Sequence, residues 1–298
     1  MAIEARNLAD VSQERLARRQ RGRVRRMLRR MRFAGVAAGV IVLIALVALA
    51  APLIAPYEPD DVEVRDRLQP PLTEGHLLGT DALGQDLLSR VIYGTRISLL
   101  VGVLVVAISG SIGVVLGLLS GYYGGWLDSV IMRLADIQLA FPTIILYIAV
   151  LAVLGPGLLK LVIVMGIVAW VPFGRVERGM VLSVRQQDHV LAARSMGASD
   201  RVILFRHILP NTMGPLIVVA SFGVAAAIVT EASLSFLGLG VPPSVPSWGS
   251  MLSDGRNYLQ NGWWIATFPG IAITLTVLAI NLLGDWLRDE LDPLLRVQ

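Results

Sequence analysis

Apolar residues run unbroken over a bilayer's width near the start of the chain and recur in five further blocks. Phe33 to Ile54 is 22 residues without a charge. At about 1.5 Å per residue such a run covers ~33 Å, enough to cross a hydrocarbon core. Further apolar runs cover Ile97 to Leu119, Ile137 to Leu154, Leu161 to Phe173 (extended by Leu158 and Leu159), Pro215 to Leu239 and Trp263 to Leu283. The pattern predicts an all-α integral membrane protein with six transmembrane helices. Ala48-Leu49-Ala50 is similar to a signal-peptide cleavage site, but the first block exceeds the ~7 to 15 residue apolar core of a cleaved signal, so a retained span is expected.

The charges between the blocks orient them. Residues 1 to 32 carry eleven arginines against Glu4, Asp10 and Glu14. The 175 to 213 segment holds Arg175, Arg178, Arg185, Arg194, Arg201 and Arg206 against Glu177, Asp188 and Asp200. The 57 to 96 segment is richer in Glu and Asp, and 240 to 262 holds only Asp254 and Arg256. Positive charge stays inside, so the amino terminus and the 175 to 213 loop are expected in the cytoplasm, and an even number of spans returns the carboxyl terminus there. The chain then divides into a basic cytoplasmic tail (1–32), a first transmembrane helix (33–56), an extracytoplasmic loop (57–96) and a five-helix core (97–290) that carries a cytoplasmic loop at 183–211. The tail's arginines suit an orientation signal and contact with anionic membrane lipids.

Inside the spans, Ser109, Gly113, Gly117 and Gly121 recur every four residues. They predict a face of small side chains against which a neighbouring backbone packs closely. Pro142, Pro172, Pro215 and Pro269 are expected near span ends, where a missing backbone donor costs least. Composition agrees with a lipid solvent: 55% hydrophobic, 16% charged, mean hydropathy +0.67.

Several chemistries are excluded. With no cysteine there are no disulfides, thiolate metal sites or cysteine nucleophiles. His76, His189 and His207 are far apart in sequence and lack metal-ligand spacing, so no metal site is expected. Arginine supplies 25 of the 26 cationic side chains. The lone lysine sits in Leu158-Leu159-Lys160-Leu161, so no phosphate-cradling Walker loop exists. The chain is therefore expected to be no enzyme and to carry no cofactor; ATP and magnesium, if used, bind another polypeptide. The spans are nearly free of ionisable groups. Glu231, toward the outer half of the fifth, either relays a proton in an ion-gradient-driven secondary transporter or is a structural carboxylate bonded to Ser233 or a partner chain.

The most informative stretch is Asp188-His189-Val190-Leu191-Ala192-Ala193-Arg194-Ser195-Met196-Gly197-Ala198-Ser199-Asp200-Arg201, which reads as helix, break, helix. Leu191, Ala192 and Ala193 favour helix, Gly197 suits the left-handed residue that closes one, and Ser199 suits the cap of the next. Arg194 in a last turn and Asp200 in a first turn each complement a helix dipole. Pro210 is expected to end the second piece. Spans anchor this knob on both sides, close to the membrane, which argues against a nucleic-acid partner.

Ala192-Ala193, then three residues, then Gly197, then Pro210 in Ile208-Leu209-Pro210 resembles the EAA loop of ABC importer membrane subunits, with Leu191 in place of the glutamate. His76-Leu77-Leu78-Gly79-Thr80-Asp81 through Gln85-Asp86, with Ser89-Arg90 and Tyr93-Gly94, resembles the segment before the second span in C-type permeases of the dipeptide, oligopeptide and nickel importers; Gln85 replaces the usual arginine. Glu231-Ala232-Ser233-Leu234-Ser235-Phe236 through Gly240, and Pro246-Ser247-Trp248-Gly249, are similar to the same subfamily. The resemblance covers 33 to about 290. It implies a type I ABC importer transmembrane domain whose residues 188–201 form a coupling helix seated in a cytoplasmic ATPase. It further implies a second homologous permease subunit, two ATPase subunits and an extracytoplasmic substrate-binding protein that docks on 57–96 and 240–262. Glu231, Ser233, Ser235, Trp248 and Tyr258 become candidates for docking or for the translocation path, with Trp248, Tyr258 and Trp263 expected to be exposed or to anchor helix ends. The implied cargo is a di- or oligopeptide, with nickel chelates or glutathione as alternatives.

Overall fold

The structure, a computed structural model, describes residues 33–242 and 244–291. The basic tail at 1–32 lies outside them. Among the described residues there is no strand beyond two isolated bridges, Thr73 to His76 and Thr80 to Asp86. Among the described residues ten α-helices follow in order, besides short 3-10 turns at Val64–Asp66 and Arg256–Tyr258: α1 (Phe33–Ile54), α2 (Leu87–Tyr123), α3 (Gly125–Leu139), α4 (Thr143–Leu154), α5 (Leu158–Val168), α6 (Val171–Val184), α7 (Asp188–Ser195), α8 (Asp200–Phe236), α9 (Trp248–Gly255) and α10 (Trp264–Leu291). Five helices are long and apolar enough to cross a membrane, with α5 and α6 joined as one over Leu158–Val184. A sixth span results if α3 and α4, bent by 85° at their junction, count as one.

The span borders move where a local interaction outweighs hydropathy. The second span starts at Leu87, before the apolar run, because the Asp86 carboxylate caps it by accepting from Ser89 N and Oγ, both at 2.8 Å. The third breaks at Phe141-Pro142, where the proline cannot donate to a continuing ladder. The fourth runs on to Val184, so Arg175, Glu177 and Arg178 lie on a helix and not in a loop. Other helices supply their polar partners. Arg178 donates twice to Asp128 of α3 (2.5 and 2.7 Å), Arg175 donates to Asp136 (2.5 Å), and Glu177 accepts from Thr212 of α8 (2.9 Å).

Pro210 does not end its helix, contrary to the sequence expectation. Residues Ile203–Ile208 form a π turn, and Leu209 N–H donates five residues back to Leu204 O. Widening the ladder ahead of Pro210 accommodates a residue with no N–H to give, and α8 continues. Pro215 and Pro269 likewise lie inside α8 and α10; Pro142 and Pro172 stand at the starts of α4 and α6, which are breaks within the bent α3–α4 pair and the joined α5–α6 span and not span ends.

The predicted small-residue face of α2 packs on α6. A methyl group added at Gly113 would lie 2.5 Å from Phe173 Cβ, at Gly117 2.6 Å from Glu177 Cβ, and at Gly121 2.7 Å from Val181 Cβ. The glycines and their partners both advance by four residues, so the two helices run parallel in constant register with their backbones nearly touching. α8 packs against α2, α6 and α10, and α1 lies outermost, with Leu53 88% exposed for lipid to cover. Gly117→Val should separate α2 from α6 and destabilise the protein by about 1–3 kcal/mol, read as lower thermal stability in detergent. Gly110→Ala, whose added carbon meets nothing nearer than 3.5 Å, should not.

Candidate functional site: a knob and a cap at opposite ends of the bundle

Two regions gather the residues singled out in the sequence, one at each end of the bundle. The knob is α7 with its turn into α8. Gly197 has φ +80°, the left-handed conformation, and closes α7 with two bonds: Ala198 N–H to Ala193 O (3.1 Å) and Gly197 N–H to Arg194 O (3.0 Å). This is the Schellman pattern, which satisfies carbonyls that a helix end leaves bare. Ser199 stands at the N-cap of α8 with extended backbone, but its side chain makes no capping bond, so the expected cap is supplied by conformation alone.

The knob is fastened to the spans. Val190 and Ala193 of α7 are buried. Val190 packs in one apolar cluster with Leu118 and Tyr122 of α2, Val181 and Val184 of α6, and Ile203, Leu204 and Ile208 of α8. Tyr122 Oη donates to Asp200 Oδ1 at 2.7 Å, and the Arg194 guanidinium sits 5.5 Å from the Tyr122 ring centroid. Arg185 closes the neck by donating to the carbonyls of Gly121 (2.8 Å) and Tyr122 (3.2 Å), the last turn of α2. Leu191 and Met196, by contrast, point outward, leaving an apolar face on the knob. Asp188, His189 and Arg201 are also exposed. The His189 and His207 rings approach to 6.3 Å, so these two histidines are neighbours in space despite their separation along the chain. No group of three metal-ligating side chains occurs among the described residues.

At the other end, residues 57–86 fold as a cap over α2, α9 and α10. Asp86 pairs with His76 Nδ1 at 2.9 Å while capping α2. Asp81 Oδ1 accepts from Leu83 N (2.8 Å) and Gln85 N (2.9 Å), and its Oδ2 lies 3.3 Å from Arg90. Trp264 Nε1 donates to Thr80 O at 3.0 Å, tying cap to α10.

Glu231, fully buried in α8, accepts from Ser235 (2.7 Å) and from Ser247 (3.0 Å), the residue that caps α9. Ser233 is not its partner; that hydroxyl donates to Val229 O of its own helix. Trp248 is not exposed either: 2% of its surface is open, its Nε1 donates to Val91 O (3.1 Å), and it packs on Gly94. It is a packing residue between α9 and α2. Trp263 is exposed, and Tyr258 is half-buried beside the cap.

The sequence reading missed Tyr122, Arg185 and the Arg90 pairing. The partners of Tyr122 and Arg185 lie across helices, Tyr122 and Asp200 standing 78 positions apart, and Arg90 pairs with Asp81 in the irregular cap, so no helical spacing announces them.

An apolar cavity of about 360 Å3 lies within the bundle between α2, α4, α5, α6 and α8. Tyr147, Ser109 and Thr230 supply its only side-chain polar groups, and no charged side chain lines it.

Comparison with known proteins places these features in context. The family model for the binding-protein-dependent transport system inner membrane component matches residues 113–297, and that for the N-terminal membrane domain of oligopeptide transport permease C matches 20–71. The chain is 46% identical over 273 residues to a glutathione transport system permease protein of Pectobacterium atrosepticum, covering 91% of this chain and 90% of that protein. It is 47% identical over 262 residues to a di/tripeptide transport system permease protein of Pseudomonas aeruginosa, covering 86% of each. Among solved structures, the MetNI methionine ABC transporter in an inward-facing conformation superposes with a TM-score of 0.56 at 18% identity, over 69% of this chain and 97% of that one. That likeness concerns the fold.

Loss of the Glu231 carboxylate should loosen α9 from α8. Glu231→Ala should raise backbone hydrogen exchange across 248–255 about tenfold, the equivalent of one or two lost bonds to a buried acceptor, and Glu231→Gln, which keeps one acceptor oxygen, by less.

Proposed function

The chain belongs to the inner membrane components of binding-protein-dependent transport systems, and from that premise we propose that it forms half of the translocation path of an ATP-driven importer of short peptides. Its amino and carboxyl termini and the 183–211 knob face the cytoplasm; the 57–96 cap and the 240–262 segment face outward. A second, homologous permease subunit completes the path, two cytoplasmic ATPases hold ATP and magnesium, and an extracytoplasmic binding protein delivers cargo.

The observation that carries this reading is the way the knob is built. A coupling element must pass displacement on without bending, because a compliant link would dissipate the stroke before the spans repacked. Here the Schellman turn fixes α7, the Tyr122–Asp200 and Arg185 bonds hold it to the end of α2, and the cluster around Val190 joins it to α2, α6 and α8 at once. Exposed Leu191 and Met196 give the knob an apolar surface for a partner. The position where related loops carry glutamate contributes a hydrophobic contact instead.

Peptide cargo is supported from two sides. Glutathione, dipeptides and tripeptides, named for the relatives, share amide-linked backbones and differ in side chains. A neutral, mainly apolar cavity has no fixed charge with which to select among side chains, which leaves selection to the binding protein. An ion-gradient mechanism through Glu231 is disfavoured, since its Oε1 holds Ser235 and the α9 cap Ser247 together in a structural role.

The test is Gly197→Val in the reconstituted complex. An added carbon at Gly197 meets no neighbour within 4 Å, so the substitution acts through backbone strain alone, roughly 1–2 kcal/mol for a left-handed residue and more for a β-branched one. Ligand-stimulated ATP hydrolysis should fall severalfold with membrane insertion intact, and Gly197→Asn, which tolerates the conformation, should retain more of it. Unchanged stimulation in Gly197→Val contradicts the assignment.

A further inference from the structure

The cap and α9 enclose another cavity, of about 460 Å3, lined by Asp81, Gln85, Arg90, Asp254, Asn257 and Tyr258 among others. Its polar groups are not in balance. Asp81 is committed inside the cap, to the backbone N–H groups of Leu83 and Gln85 and to Arg90 at 3.3 Å. Arg90 is buried and reaches Asp254 only at 4.0 Å, so one guanidinium serves two carboxylates. Partial burial pushes the Asp254 carboxyl above its ordinary pKa, ahead of the opposing pull of Arg90, as expected of a charge whose compensation is incomplete. The second observation is independent of the acids. Gln85 is 5% exposed, and its amide Oε1 is buried with no hydrogen-bond partner among the described residues. Such an orphaned acceptor costs about 1–3 kcal/mol, a penalty removed when a donor arrives from outside.

We propose that this cavity is a socket for a basic side chain, a lysine or an arginine, of the extracytoplasmic binding protein, with Asp254 and Gln85 Oε1 as the acceptors. The inference rests on the importer reading and adds the chemistry of docking to it. Charge complementarity selects the occupant. An ammonium or guanidinium carries several N–H donors and no acceptor, so it meets the under-compensated carboxylate and the orphaned amide oxygen together. An anion would meet the carboxylates, and an apolar group would leave the amide oxygen unsatisfied. The Asp254 side chain is 57% exposed at the mouth, where an incoming protein can reach it, whereas Gln85 and Arg90 form the floor. Every lining residue named comes from the 57–96 or 240–262 segment, the surface assigned to docking. Tyr258, singled out in the sequence for docking, lines the same wall.

The experiment uses the complete transporter in proteoliposomes, titrated with its binding protein, with ATP hydrolysis and subunit co-purification as readouts. Asp254→Asn and Gln85→Arg, the latter filling the socket with the chain's own guanidinium, should each raise the half-saturating binding-protein concentration about tenfold and flatten its dependence on salt. Gln85→Glu, which adds acceptor charge, should lower it. Half-saturation unmoved in Asp254→Asn and Gln85→Arg overturns the proposal. Subunits that no longer co-purify also overturn it, because the cavity then belongs to the interface between permeases. A third contrary result is docking unmoved while the KM preference for free-amine over N-acetylated peptide is lost, which assigns the cation to the cargo's amino terminus. A wild-type complex indifferent to its binding protein instead refutes the importer reading itself.

Discussion

Hydrocarbon offers two apolar helices no solvent-driven reason to associate, so a bundle in lipid depends on how closely backbones can approach. In this protein that constraint is met by the parallel seam of α2 and α6, where Gly113, Gly117 and Gly121 face Phe173, Glu177 and Val181 with no room for a further carbon. Much else is attached to the two helices of the seam. α3 is held to α6 through Asp128 and Asp136, α8 is held to α6 through Thr212 and Glu177, and the cap is seated on the amino end of α2 by Asp86.

The seam also gives the two ends of the molecule a continuous physical connection. α2 reaches from the capped Leu87 to Tyr123 without interruption. Its first turns touch α9 through Gly94 and Val91, and its last turn accepts from Arg185 and presents Tyr122 to Asp200. The knob is therefore fastened to one end of an unbroken rod whose other end carries the cap. The breaks in the bundle, the 85° bend between α3 and α4 and the π turn at Ile203–Ile208, flank this rod and leave it uninterrupted.

Much of this was legible in the sequence, for identifiable reasons. Span number follows from apolar run length, the α2 seam from the spacing of its small residues, and the α7 turn from a glycine four residues past the second of two alanines. Span borders were less legible because hydropathy cannot see a cap or a cross-helix ion pair. The paired charges Arg178 and Asp128 look like loop residues until their partner is known. Pro210 was misread since a π turn has no local sequence mark. Trp248 was misplaced because an aromatic after a Pro-Ser pair reads equally as an exposed anchor or, as here, a buried wedge against Gly94. The cap's pairings join residues whose spacing carries no periodic signal.

Fastened in this way, knob and α2 should move as one body. The chain has no cysteine, so spin labels can be placed singly at Ser195→Cys on α7 and Leu119→Cys on α2 in the assembled transporter. Pulsed electron resonance should give the same distance without nucleotide and with ATP trapped, within the roughly 1–2 Å of small helix shifts, while labels on the knobs of the two permease subunits change their separation. A change in the α7 to α2 distance comparable to the knob-to-knob change would contradict it.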